Sequence, residues 1–172
     1  MRCHIETDRL ILRNLVPDDY ESAFKWCGDP EVNEYMIYPL YHKAEDVKAW
    51  IETLNPDDPD DYDLGIVLKE TGELIGSGGL VYRPEKDVWM IGYNIRIDCW
   101  GHRYVVEAMQ GIIDYISKSR KIRAIMGVFA KENHKSQLVM EKLGMHYLQD
   151  YEYEKLDGSR KYEAKMFIRE FE

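Results

Sequence analysis

Cysteine, long apolar runs and positive charge are all scarce in this 172-residue chain. Its 23 Lys and Arg are outnumbered by 32 Asp and Glu, a formal charge of −9. An acidic domain is a poor counterion for phosphate backbones, which argues against general nucleic-acid binding and fits a cationic partner such as an amine. The same acidity also serves plain solubility. Three scattered cysteines, Cys3, Cys27 and Cys99, make no disulfide framework and have no metal-ligand spacing. The five histidines are dispersed as well, so no metal site is expected. No stretch approaches the roughly 18 uninterrupted apolar residues of a membrane span. Residues 1–6 carry no apolar signal core, and the expectation is a cytoplasmic protein. Repeats and low-complexity tracts are absent too. The one acidic, proline-containing stretch, 55–61, reads as a surface loop, leaving a single domain over 1–172.

Apolar spacing supplies the elements. Leu10 and Leu12 alternate with polar neighbours, suggesting a strand over 7–13. Pro17-Asp18-Asp19 opens a helix that Gly28 closes, Asp29-Pro30 starts a short helical piece ending near Met36, and a third helix runs over 43–54. The period then changes. Strands are expected at 62–69, 73–82 and 88–97, the last of them central because it is apolar on both faces. A long helix to about Ser119 carries Val105, Ala108, Met109, Ile112, Ile113 and Ile116 on one face. A buried strand (122–129), a helix capped by Asn133 and ended by Gly144, and a hairpin turning at Asp157-Gly158 complete the chain. Tyr147, Tyr151 and Tyr153 take alternate positions on that hairpin, as ordinary sheet cover does. The class is α+β, a mixed, mostly antiparallel sheet with helices on both faces.

One segment carries chemistry. The central strand feeds Trp100-Gly101-His102-Arg103-Tyr104 and then the long helix. The first amides of a helix lack intrahelical partners and lie at its positive end, so residues 101–106 form a natural pyrophosphate seat. A single glycine before a helix is also plain capping.

The surrounding pattern resembles the GNAT superfamily of acyl-CoA-dependent N-acetyltransferases, particularly its RimJ/RimL-like branch, which acetylates protein N-termini. The residues that carry the resemblance are Glu6-Thr7-Asp8-Arg9-Leu10-Ile11-Leu12-Arg13, Ile75-Gly76-Ser77-Gly78-Gly79, Ile91-Gly92-Tyr93-Asn94-Ile95 and the 100–108 loop and helix start. Asn133-His134-Lys135-Ser136, followed by Glu141-Lys142-Leu143-Gly144-Met145, is similar to the late helix motif. The order is collinear over nearly the whole chain, which is more specific than any one motif.

The resemblance implies a GNAT-like acyl-CoA N-acyltransferase fold and direct attack of a primary amine on the thioester of acetyl-CoA. Backbone groups near Ile95, Arg96 and Ile97 would meet pantetheine. The amides of His102, Arg103, Tyr104, Val105 and Val106 would hold the pyrophosphate. Asn133 and Ser136 would lie near pantetheine and sulfur, with Ser136 protonating or hydrogen-bonding the departing thiolate. Glu34, Tyr35 and Tyr38 fall on the segment that forms one lip of the acceptor site.

Three positions depart from the family pattern. Arg103 stands where the loop usually has a second glycine, Met90 where many relatives have an acidic base, and Met140 where many have a tyrosine acid. Glu34, Glu152 and Glu154 are further candidates for a base. The acceptor expected from the branch is a protein N-terminal α-amine, and a polyamine or antibiotic amine fits the charge as well. A non-catalytic binding module with a degenerate cofactor loop is the alternative from a different class. A monomer or homodimer is expected, with neither nucleic acid nor membrane as partner.

Overall fold

The computed structural model describes residues 3–172. Eight strands form one sheet in the order β1-β2-β3-β4-β5-β6-β8-β7. They are β1 (His4–Glu6), β2 (Leu10–Asn14), β3 (Asp61–Leu68), β4 (Leu74–Arg83), β5 (Val88–Ile95), β6 (Ala124–Ala130), β7 (His146–Glu154) and β8 (Lys161–Glu170). Every neighbouring pair is antiparallel except β5 with β6. The helices are α1 (Tyr20–Cys27), α2 (Pro30–Asn33), α3 (Ala44–Glu52), α4 (Tyr104–Ser117) and α5 (His134–Lys142).

The longest helix buries the stripe its spacing provides, while α2 buries no residue and Leu138 on α5 is exposed. On α4, Val105, Ala108, Met109, Ile112, Ile113 and Ile116 are all buried, in one cluster with Leu12, Ile66, Leu80 and Trp89 of the sheet. The opposite face carries α1 and α3, whose Ala23, Trp26, Val47 and Ile51 pack with Val67 and Leu74. The apolar residues of β5 divide between two clusters, Trp89, Ile91 and Ile95 in that of α4, and Val88 and Met90 with Met126 of β6 and Met166 of β8, which is why its sequence is apolar on both sides.

Several boundaries move from where the sequence put them. The expected first strand is a β1–β2 hairpin. Its turn is held from a distance: Glu107 on α4 accepts from Thr7 Oγ1 (2.5 Å), Arg9 N (2.8 Å) and Arg9 Nε (2.7 Å). The helix expected from Pro17 starts as a 3-10 turn, Pro17–Asp19, with Arg13 gripping Asp19 at 2.8 and 3.0 Å. The strand expected to reach Ile97 stops at Ile95 and gives way to a 3-10 turn, Ile97–Cys99. On β7 a register shift between Tyr147 and Gln149 breaks the simple alternation, leaving Tyr147, Leu148 and Tyr151 all exposed.

The feature that positions the site is the short β5–β6 pairing. These strands match only at Trp89 with Ile125 and Met90 with Met126, and beyond that they part. Residues 92–95 of β5 keep their partners on β4 and have none on β6. A gap opens in mid-sheet, between the strand that leads to α4 and the strand that leads to α5.

Candidate active site

Alternate residues of an antiparallel strand aim their backbone groups at opposite neighbours. Arg96 N donates to Ile75 O on β4 at 2.8 Å, so Tyr93 and Ile95, out of phase with it, turn theirs toward the gap. Trp100 Nε1 reaches back to Ile95 O at 3.1 Å and fixes the loop against the strand end. Of the three strand residues expected near a cofactor, Ile95 faces the gap and Arg96 is committed to β4. Ile97 lies in the 3-10 turn. The Arg96 guanidinium is paired with Asp98 and Glu73, which holds it protonated.

The loop then turns through two left-handed residues, Gly101 (φ 85°) and Arg103 (φ 62°, ψ 22°), before α4 begins at Tyr104. That conformation costs a residue with a Cβ about 1 kcal/mol or more, and Arg103 adopts it all the same. The result is a run of amides, His102 through Val106, that meet no backbone or side-chain acceptor among the described residues. They lie at the positive end of a 14-residue helix, as anion binding requires. Arg103 is exposed and has no ion-pair partner among the described residues, so its guanidinium is free for an anion. His102 stacks on Tyr104 with centroids 5.2 Å apart, and Arg9 covers the Tyr104 ring at 4.5 Å.

Across the gap, α5 starts at Asn133, whose side chain accepts from Ser136 N at 3.3 Å. That cap places Ser136, a buried hydroxyl, on the inner side of the first turn. The Tyr93 hydroxyl from β5 shares a hydrogen bond with Ser136 Oγ. Burial pushes the Tyr93 phenol up to about 12, against the opposing pull of Ser136, so it stays protonated at neutral pH. Tyr93 is the residue that sequence reasoning missed. In the strand it reads as an ordinary aromatic, and only the parting of β5 from β6 lets it reach α5. Met140, standing where a tyrosine was looked for, is buried beside Gly127 and Ile91 in the core. Met90 packs with the apolar cluster of Met126 and Met166.

The other face of β5 looks toward α1 and α3. Gly92 is exposed, and a Cβ built there would meet nothing within 4 Å, so the middle of the sheet is open at this point. Asn94 borders a cavity of about 70 Å³ together with Trp26, Tyr38, Tyr41 and Trp50. Of the three expected lip residues, only Tyr38 lines it. Tyr35 packs edge-on against Tyr162 on β8, and Glu34 is exposed.

The lip itself is stapled to the β7–β8 hairpin. Lys155 Nζ donates to Asn33 O (3.0 Å), Asn33 Oδ1 (3.1 Å) and Met36 O (2.7 Å). Tyr153 donates to Tyr35 O at 2.6 Å, Tyr162 to Glu34 O, and Leu156 N to Ile37 O at 2.8 Å. All five carbonyls from Asn33 to Ile37 are thus held from the hairpin, and burial lowers the Lys155 pKa. Glu152 and Glu154, the other candidate bases, are exposed on β7.

A family description for the acetyltransferase (GNAT) domain matches residues 9–146 of this chain. The chain belongs to the GNAT acetyltransferases. It is 29% identical over 157 residues to an uncharacterized N-acetyltransferase, p20, of Bacillus licheniformis, covering 85% of each chain. Among solved structures it resembles the microcin C7 self-immunity acetyltransferase MccE in complex with acetyl-CoA and AMP (TM-score 0.81, 17% identity, 96% and 94% coverage). It also resembles RimL, the ribosomal L7/L12 α-N-protein acetyltransferase (TM-score 0.80, 14% identity, 99% and 96% coverage). At such identities these two establish the GNAT fold. The expectation of an acetyltransferase with an open, mostly antiparallel sheet therefore stands.

Proposed function

We propose that this GNAT acetyltransferase transfers an acetyl group from acetyl-CoA to a primary amine, with a protein N-terminal α-amine as the acceptor. The observation that carries the reading is the gap between β5 and β6, which has different chemistry on its two faces. The residues at the gap fit acetyl-CoA: unpaired amides at an α4 terminus suit its pyrophosphate, and the Tyr93 and Ile95 backbone suits its pantetheine amides. Bound there, acetyl-CoA supplies an acetyl group activated as a thioester.

The rest is done by the chain. The amides of His102 to Val106 and the Arg103 guanidinium hold the phosphate end. Asn133 sets the first turn of α5 and with it Ser136. Tyr93, kept protonated by burial, can donate to Ser136 Oγ, which leaves the serine hydroxyl free to hydrogen-bond the departing sulfur without giving up its proton. On the opposite face, the opening over Gly92 and beside Asn94 admits the amine between lip and sheet. Entry of the nucleophile from one face and departure of the thiol toward the other suits a direct displacement.

The α-amine as acceptor is supported by the likeness to RimL. The test is release of free thiol from acetyl-CoA in the presence of Ala-initiated peptides, with the acetylated position read by mass spectrometry. Acetylation of the α-amine supports the reading. Turnover confined to side-chain or polyamine nitrogens would contradict the acceptor, and no turnover with any amine would contradict the enzyme.

A further inference from the structure

The opening over Gly92 continues into an apolar floor that the proposed reaction leaves unused. On the face of β5 that carries Asn94 and Gly92, the next residue is Met90, about 7 Å along the strand. Met90 pairs with Met126 on β6, Met126 with Ile168 on β8, and Val128 with Met166, which puts all of them on that face. Two residues beyond the last β5–β6 pair, Gly92 and Val128 stand on opposite sides of the gap. The cluster these residues form with Val88 and Ala124 draws on β5, β6 and β8 alone. Helices α1 and α3 pack farther along the sheet, over Ile11, Val67 and Leu74. Met126 and Met166 are buried, whereas Met90 and Val128, at the rim of the gap beside exposed Gly92, are only half-buried.

We infer that this floor seats the first side chain of the acceptor polypeptide and selects a flexible apolar one, methionine or leucine, over small, polar or charged ones. Met90 and Val128 are then the specificity residues at its rim. This rests on the α-amine reading above and narrows it to one class of N-terminus.

The chemistry of the acceptor assigns its parts. An α-amine attacking over Gly92 sits on a carbon that also bears a carbonyl and a side chain. The floor offers methionine and valine side chains and no polar one, so the carbonyl gains nothing there. The chain beyond that carbonyl must in any case leave past the lip to solvent. The side chain is the substituent that can end on the floor. A hydroxyl or a charge placed there would lose its water without finding a partner. With neither a carboxylate nor an aromatic ring in the cluster, an ammonium is not held either. Methionine, unbranched and polarizable, adjusts its rotamers to what lies on it, which suits a long flexible apolar group. Position 90, acidic in many relatives, is thereby part of an apolar surface in this chain.

The experiment uses peptides identical after the first residue and beginning with Met, Leu, Ala, Ser, Asp or Lys. Values of kcat/KM are taken from thiol release at saturating acetyl-CoA, and the acetylated nitrogen is read by mass spectrometry. The unaltered protein should prefer Met and Leu to Ser by about tenfold or more, with Ala between and Asp and Lys lowest. Equal values, or a preference for Ser, Asp or Lys, overturn the inference. Two variants of nearly unchanged shape, Met90→Gln and Val128→Thr, should each lower the Met:Ser ratio by about threefold or more. Taking the ratio within each protein cancels any general loss of activity. A ratio unchanged in both variants overturns the assignment of the floor. If a variant does not fold, the order of peptides in the unaltered protein decides. Silence toward every α-amine defeats the reading on which this rests, whereas turnover without preference defeats only the floor, so the two failures are distinguishable.

Discussion

Replacing Asp63 with asparagine should stabilise the protein at pH 8 and lose most of that gain by pH 4. Asp63 sits on β3 beside the end of β2 and residues 54–56, half-buried and without a hydrogen-bond donor for its carboxyl among the described residues. Burial, and then the charge of Asp61, raise its pKa from 3.8 to about 6. Asp61 is raised too, mainly by burial, and its Oδ1 is itself unpaired. A folded pKa above the unfolded one means that the neutral acid is tolerated and the carboxylate is not. Stability from this group is full below about pH 4 and is lost as pH rises through about 6. The penalty at pH 8 is up to about 3 kcal/mol. A neutral side chain of the same shape avoids it. For a chain of this length that corresponds to a midpoint rise of up to about 10 °C. Urea denaturation of both proteins at pH 4, 6 and 8 measures it. A variant less stable than its parent at pH 8, or a difference independent of pH, would refute the reasoning.

Other substitutions test the site. Ser136→Ala should lower kcat by about a hundredfold with acetyl-CoA affinity unchanged, and Tyr93→Phe should lower it less. Combining the two should be no worse than Ser136→Ala alone, since the tyrosine acts through the serine; additive losses in steady-state kinetics would separate them. Arg103→Gly relieves about 1 kcal/mol of backbone strain but loosens the unfolded chain by a similar amount, so the melting temperature should move by only a few degrees. Acetyl-CoA affinity, measured by titration, should fall about tenfold, and tighter binding would argue against phosphate pairing by the guanidinium. Lys155→Met removes the bonds to Asn33 and Met36, should cost about 2 kcal/mol in denaturation, and should raise the acceptor KM several-fold. An unchanged KM would mean the lip does not depend on the hairpin.

Much of the fold could be read from local pattern because local pattern caused it. The stripe on α4, the two-sided apolarity of β5 and the Asn133 cap are properties of short segments. What escaped depends on residues far apart in the chain. The break at Thr7 is held by Glu107, a hundred residues on, and no local rule places a turn there. Arginine has no preference for the left-handed region, and only the glycine that the resemblance expects in its place pointed to that conformation at Arg103. The sequence marked the Asn133 and Ser136 motif and the amide run, yet Tyr93 entered the site only through the parting of β5 and β6. Glu34 and Tyr35 fell on the lip as expected by position. Their backbones serve the staple, and the cavity is lined instead by residues that include Trp26 and Trp50.

The most direct test of the central claim is calorimetric titration of the purified, cofactor-free protein with acetyl-CoA. Saturable one-to-one binding in the micromolar range, weakened by rising salt as a phosphate contact must be, is the predicted result. No binding would show that Arg103 closes the seat at the start of α4 and would contradict the account.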